Sequence, residues 1–238
     1  MSTLIRDYER FAKEANEICK GRVYTDHLRR YAYGVDASCY SYLPKVVVKA
    51  EDEREVRRLI RLCQQCGTPF TFRAAGSSLS GQCSSEDVLI VCNDGFKKME
   101  VIDDGKALKC ECGVIGSDAN DLLKPYNRKI GPDPATLATA LVGGILNNNS
   151  SGMCCGTAQN SYKTIRSIRV VLLDGSILDT SDQKSIDQFL KEKPQMVEDI
   201  LQLRKDILAD EELTHLIHHK YKIKNTTGYG LNSLVDFE

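Results

Sequence analysis

The sequence carries no excess of either charge. Its 32 Lys and Arg stand against 33 Asp and Glu, a formal net charge of −1. A nucleic-acid binder normally presents a basic field, so no nucleic-acid partner is expected. No apolar run approaches the about 20 residues that a membrane helix needs, so no integral membrane segment is expected. The first 22 residues contain no apolar core of a secretory signal, and a cytoplasmic location is the expectation. Ten Cys are present, among them Cys63 with Cys66, Cys110 with Cys112, and the adjacent Cys154 and Cys155. A zinc site usually needs a second pair at suitable spacing, and an iron–sulfur run needs three or four close Cys. Neither pattern occurs, so no metal is expected. Without an export signal disulfides are not expected either, and free Cys behaves as a small buried hydrophobe.

What is there is a soluble globular composition. The chain has 238 residues, 42% hydrophobic and 27% charged, enough for one large domain or two small ones. Its densest local feature is Arg73–Ala74–Ala75–Gly76–Ser77–Ser78–Leu79–Ser80–Gly81–Gln82. Small residues let a backbone approach a ligand, and Gly admits the positive φ that aligns successive N–H groups. Such aligned amides bind anions. Taken alone, the run fits a pyrophosphate cradle or an ordinary Ser/Gly surface turn.

The surroundings order it. Residues 4–20 read as a helix with Leu4, Tyr8, Phe11, Ala12, Ala15 and Cys19 on one stripe. Residues 21–43 hold five of the ten Tyr and read as an irregular lead-in, its rings contacting a cofactor or partner or anchoring the segment. Val46–Val48 is a β-branched strand. Asp52 with Glu55 resembles a capping box. Val56, Leu59, Ile60, Cys63 and Cys66 recur at helical spacing, and Gly67 ends the helix. Thr68–Arg73 is the next strand and Val88–Cys92, wholly apolar, a strand buried on both faces. Residues 45–92 thus form an α/β unit with the Gly/Ser loop at a strand end, where ligands of open α/β sheets bind.

Met99–Ile102 and Ala107–Cys112 flank Asp103–Asp104–Gly105–Lys106 as a hairpin. Ser117 is expected to cap a short helix through Lys124. A second small-residue stretch follows at residues 131–152. Pro132 and Pro134 stiffen its entry, Leu137–Leu146 is apolar, and Gly143–Gly144 sit inside it. Paired Gly weaken a helix by about 1 kcal/mol each, which points to something approaching the backbone closely. Asn147 to Gly152 then form a neutral hydrogen-bonding loop. Arg166–Leu173 reads as a strand and Asp174–Gly175 as a turn. Residues 181–222 are charged and helical, with Val197, Ile200, Leu201, Leu203, Ile207 and Leu208 on one face and Pro194 starting the main helix. His215, His218 and His219 read as a charged helix end rather than metal ligands.

Two nucleotide templates fail. Gly76 and Gly81 have the spacing of a Walker loop, but Gln82–Cys83 replaces Lys and Ser or Thr, so NTP hydrolysis is not expected. The dinucleotide fingerprint G-x-G-x-x-G after a first strand is absent too. Two loops of neutral donors remain, suited to a diphosphate held without a metal.

In this order, RAAGSSLSGQ, GPDPATLATALVGGILNNNSSG and TIRSIRVVLLDGSIL resemble the FAD-binding domain of the FAD-linked oxidases, of the p-cresol methylhydroxylase and vanillyl-alcohol oxidase type. The branch resembled is that of D-lactate dehydrogenase and glycolate oxidase. The resemblance runs from about residue 20 to the end, where YKIKNTTGYGLNSLVDF is similar to the passage toward a substrate-cap domain.

The resemblance implies an α+β fold: two α/β subdomains with the cofactor between them. Residues 1–43 are then an N-terminal helix and lead-in, 44–105 and 106–180 the two FAD-binding subdomains, and 181–238 a helical segment leading to a cap domain expected outside this chain. It implies FAD contacts at Ala74, Ala75, Gly76, Ser77, Ser78, Leu79, Ser80 and Gln82 around the pyrophosphate. Arg73 at the entrance fits a cofactor contact or a structural ion pair. Pro132, Asp133 and Pro134 are implied near the ribityl chain and flavin. Thr139, Gly143, Gly144, Asn149, Ser151 and Gly152 form the second contacting segment, with the backbone of Ile168 near the adenine. Lys224 and Asn225 match a motif near the flavin, or belong to a surface loop. Ser77 and Ser78 stand where some relatives attach FAD through His, so non-covalent FAD is expected.

The implied reaction oxidises a small D-2-hydroxy acid: a base takes the hydroxyl proton as the α-hydrogen leaves as hydride to flavin N5. The substrate-binding His and Arg, and any metal, are implied in the cap domain, so no catalytic residue is expected here and the chain alone should be inactive. The electron acceptor is not specified. Full-length relatives can lie peripherally at the inner membrane face. Two other readings fit the same residues: a cofactor-free interaction module that keeps the fold, and an FAD-dependent reductase with another substrate.

Overall fold

A computed structural model describes residues 6–225 and 229–237. Leu4, expected on the first helical stripe, and Gly228 lie outside the described residues. The chain divides into two compact units. The first comprises residues 1–130, 135–147 and 171–176; the second comprises 131–134, 148–170 and 177–238.

The first unit is built on a four-stranded sheet. Its strands are β1 (Val23–Tyr24), β2 (Val46–Lys49), β3 (Phe70–Arg73) and β4 (Val88–Val91), in the order β1-β2-β4-β3. β4 pairs in parallel with both β2 and β3, while β1 runs antiparallel to β2. A central strand has no solvated face, and every residue of β4 is buried. Helices α1 (Tyr8–Ile18) and α3 (Glu53–Gln65) supply the core on one side: Phe11, Ala15 and Cys19 meet Leu59, Ile60, Cys63 and Cys66 over Val46, Val48, Val88 and Ile90. Cys63 thus packs as a hydrophobe, and burial pushes its thiol up to about 12. On the other face Val47, Leu89 and Val91 pack under Tyr24 and Tyr33, whose rings stack 6.4 Å apart. Two of the lead-in tyrosines therefore anchor the segment.

The lead-in is more regular than its sequence indicates. It contains β1 and a six-residue helix, α2 (His27–Ala32), capped by Asp26, whose carboxylate accepts from the Arg29 amide at 3.0 Å. A two-residue strand exists only because β2 offers it a partner, and no local pattern announces that.

Asp52 caps α3, accepting from the Glu55 amide at 2.7 Å. The capping box is modified: the Glu55 carboxylate reaches the Glu51 amide at 2.8 Å and grips Arg22 at 2.6 and 2.9 Å. Burial disfavours the ionised Glu55, but the Arg22 and Glu51 hydrogen bonds outweigh it and hold the carboxyl below its usual range.

β5 (Met99–Ile102) and β6 (Ala107–Cys110) form the expected hairpin, turning through positive φ at Asp103, Asp104 and Gly105. The next helix, α4 (Gly116–Leu123), begins one residue before Ser117, with Ile115 at the cap and no side-chain cap bond. Its amides are supported from elsewhere: Gly116 and Ser117 donate to the carbonyls of Ala140 and Leu137, each at 3.0 Å. Of the apolar stretch 137–146, residues 137–139 lie in a turn, Leu141 bridges to Ile115, and only Val142–Asn147 is helix α5.

The second unit carries α6 (Ser161–Thr164) and the paired strands β7 (Arg169–Val171) and β8 (Ile177–Asp179), whose connecting tip belongs to the first unit. The expected strand 166–173 is thus confined to β7. Three helices follow: α7 (Gln183–Glu192), α8 (Pro194–Ala209) and α9 (Glu211–Lys220). Pro194 opens α8 as expected. The expected apolar face of α8 is not core, however: Ile207 is buried while Ile200, Leu201, Leu203 and Leu208 are exposed.

Candidate functional site

The Gly/Ser loop leaves the carboxyl end of β3, an edge strand, and returns to the start of its parallel neighbour β4. Gly76 and Gly81 hold φ of +77° and +75°, the left-handed values that favour Gly. Both face the lead-in. A β-carbon on Gly76 would lie 2.3 Å from the Arg73 guanidinium, and one on Gly81 would lie 2.7 Å from the Tyr40 ring. Arg73 donates to the carbonyls of Tyr33 at 3.2 Å and Val35 at 2.8 Å. Its guanidinium thus ties the loop to backbone carbonyls rather than to a carboxylate. The Ala37 amide adds a bond to the Gly76 carbonyl at 3.0 Å.

Inside the loop, Ser78 donates to Gln82 at 2.5 Å and accepts from the Ser80 amide at 3.2 Å. Leu79 is exposed. Among the described residues, no acceptor takes the amides of Ala74, Ala75, Gly76 or Ser77. The loop is held from outside by its carbonyls and by Arg73, and its amides are left to an external acceptor.

The second stretch is divided between the units. In the first unit, Gly143 donates to the Cys112 carbonyl at 2.9 Å, and a β-carbon on it would lie 2.7 Å from that of Cys112. Close packing within the protein therefore explains Gly143. Gly144 differs: a β-carbon there would meet only that of Ala74, at an ordinary 3.7 Å. Ala74 and Gly144 bring the two small-residue segments together. Thr139 is exposed and closes a turn on the Thr136 carbonyl at 2.8 Å.

In the second unit, Asp133 organises the Asn/Ser loop. Its carboxylate accepts from the amides of Cys154 at 3.2 Å and Cys155 at 3.1 Å, and these hydrogen bonds, Cys155's the largest, hold its pKa below the usual range. Gly152 lies against it so closely that a β-carbon would sit 1.9 Å from the Asp133 carbonyl oxygen. Pro132 and Ser151 are buried, and Pro134 is half-buried. The backbone of Ile168 is engaged by Thr180, whose hydroxyl accepts from it at 2.8 Å and whose amide donates to it at 2.9 Å.

Asn149, at φ +42°, accepts from the Tyr162 amide at 2.9 Å and lines a cleft with Lys224 and Asn225. The same cleft contains Asp236, which accepts from Asn232 at 3.1 Å, Tyr162 at 3.2 Å and Lys163 at 3.3 Å. Burial first, then the charge of Asp236, pushes the Tyr162 phenol up to about 12. Sequence reasoning did not single out Tyr162 or Asp236, because neither belongs to a small-residue run.

These residues fit an FAD pyrophosphate. Ala74 to Ser77 are too small to block the cradle, among the described residues their amides have no protein acceptor, and Gly144 leaves room where a side chain would stand. Together they define an α+β domain that sets a small-residue, anion-type loop on the end of a parallel strand. The profile of the FAD binding domain family matches residues 44–181, and the chain belongs to that family. It is 28% identical over 164 residues to D-2-hydroxyglutarate dehydrogenase of Escherichia coli (strain K12), covering 67% of this chain and 16% of that protein. It is 26% identical over 164 residues to glycolate oxidase subunit GlcD of Bacillus subtilis (strain 168), covering 66% of this chain and 34% of that one. Among solved structures, p-cresol methylhydroxylase with substrate bound superposes with a TM-score of 0.61 at 16% identity, over 73% of this chain and 35% of that one. That likeness bears out the α+β fold. The chain thus spans well under half of each of these relatives. No helix among the described residues is long and apolar enough to cross a membrane.

Proposed function

We propose that the chain is the FAD-binding portion of a flavin-dependent dehydrogenase acting on a small D-2-hydroxy acid of the D-lactate or glycolate type. The observation that carries this reading is the meeting of the two small-residue segments at Ala74 and Gly144, beside amides that have no protein acceptor among the described residues. The amides of Ala74 to Ser77 hold the pyrophosphate, with Ser77, Ser78, Ser80 and Gln82 as supporting groups. Arg73 acts through the loop, tying its entrance to the Tyr33 and Val35 carbonyls of the lead-in so that the amides stay presented. Asp133 performs the same service for Ser151 and Gly152 by anchoring the turn at Cys154 and Cys155. FAD is held non-covalently, since Ser77 and Ser78 offer no attachment chemistry of the His type. When bound, the flavin supplies a two-electron acceptor. The groups that bind the hydroxy acid and take its proton lie outside this chain, which alone does not turn over.

The test is a titration of the chain with FAD, followed by quenching of flavin fluorescence. Saturable binding that is lost in Gly76→Val supports the reading. A chain that never quenches added FAD overturns it and favours an interaction module.

A further inference from the structure

The cleft in the second unit carries chemistry that the small-residue loops do not. Its walls come from Asn149, Asn160, Tyr162 and Lys163 on one side and from Tyr221, Lys222, Lys224, Asn232 and Asp236 on the other, and its volume is about 160 Å³. Asn149 and Asn160 both commit their side-chain oxygens to backbone amides, of Tyr162 at 2.9 Å and Lys163 at 3.0 Å. Each amide group is thereby fixed in orientation, and its NH₂ end can only donate. Among the described residues, no acceptor takes either NH₂ group. Lys222 and Lys224 line the same cleft, and among the described residues neither has a carboxylate partner. The one carboxylate in the lining, Asp236, is already engaged by Asn232, Tyr162 and Lys163. The lining therefore offers oriented donors and uncompensated positive charge. Its complement is an oxyanion, and the small volume suits a low-molecular-weight organic acid rather than a dinucleotide.

We propose that this cleft binds the carboxylate of a small organic acid, with Asn149 and Asn160 as fixed donors and Lys222 and Lys224 as charge partners. Binding at the cleft does not rest on the proposed function: it requires no flavin, and it is separate from the substrate-binding groups that the proposed function places outside this chain. Hydrogen bonds from charged groups are stronger than neutral ones, so removing both lysines weakens binding about tenfold.

The experiment uses the 238-residue chain without FAD, titrated with D-lactate and D-2-hydroxyglutarate and, separately, with ADP, and read by amide NMR. Saturable shifts of the Asn149 and Asn160 side-chain NH₂ signals with a hydroxy acid, weakened about tenfold in Lys222→Gln/Lys224→Gln, support the site. Both lysines are exposed, so the double variant keeps the fold. Shifts with ADP but with neither acid overturn the carboxylate assignment and give the cleft to a cofactor phosphate. No shift at these two Asn with any ligand, or affinity unchanged in the double variant, also overturns it. The FAD titration is independent, so its failure with the acid shifts intact would remove the proposed function and leave the site.

Discussion

Gly144 faces Ala74 across 3.7 Å, measured between the place of its missing β-carbon and the β-carbon of Ala74. The protein itself leaves room for a methyl group there, whereas at the neighbouring Gly143 it does not. Gly144→Ala should therefore leave the melting temperature almost unchanged while weakening FAD by roughly tenfold, about 1.4 kcal/mol. Gly143→Ala should instead cost about 1–3 kcal/mol of stability through the clash with Cys112. Thermal melts beside FAD titrations separate the two effects. Unchanged FAD affinity in Gly144→Ala would show that no cofactor approaches that backbone.

Gly152 and Gly156 make a second contrast. Gly152→Ala drives a β-carbon into the Asp133 carbonyl and should cost about 3 kcal/mol. Gly156, at φ +52° with nothing within 4 Å, should cost only the left-handed penalty of about 1–2 kcal/mol when changed to Ala. Urea unfolding of the two variants measures both, and equal losses would contradict the packing described for Gly152.

The Arg22–Glu55 pair sets an acid limit. Because the folded Glu55 pKa is depressed, its contribution is fully present above the ordinary value of about 4.3 and is lost as pH falls through the folded value. Arg22→Gln leaves a largely buried carboxylate without its partner and should cost about 3 kcal/mol at pH 7. The gap between variant and parent should narrow as pH drops from 6 to 3 in thermal melts. A constant gap would show that the pair does not titrate with the fold.

Tyr162 sets an alkaline limit. Its raised pKa gives stability that is fully present below the ordinary value of about 10 and lost as pH rises through about 12. Asp236→Asn should bring the Tyr162 titration down, though not to the ordinary value, since burial is the larger cause. Phenolate absorbance, differenced against Tyr162→Phe, follows this one ring among ten tyrosines.

Much of the first unit was legible because its signals are local. Val46–Val48, Asp52 with Glu55, the stripe to Cys66 and Gly67, and the Asp-Gly hairpin each announce an element within a few residues. What was hidden is non-local. β1 needs β2, the α4 amides of Gly116 and Ser117 need Ala140 and Leu137, and the reason for Gly143 is Cys112, 31 positions away. Arg73 shows the same limit, for its acceptors are backbone carbonyls, which leave no trace in a side-chain pattern. The apolar residues of α8 were legible as a face but not as an exposed one, because periodicity records amphipathicity and not what covers it. The amides of Ala74 to Ser77 follow from the loop's composition; the cleft at Asn149 and Asp236 depends on residues 87 apart.

β3 and β4 are parallel neighbours, so the segment joining them must run back the length of a strand before β4 can begin. Here that crossover is the Gly/Ser loop, with no helix to stiffen it. The sheet and the cradle are consequently one mechanical element: β4 cannot seat between β2 and β3 until the loop has found its course. By mass action, a ligand that grips the loop stabilises the closed sheet by the same free energy. FAD should slow hydrogen exchange at the buried amides of Val88 to Val91 as strongly as in the loop itself.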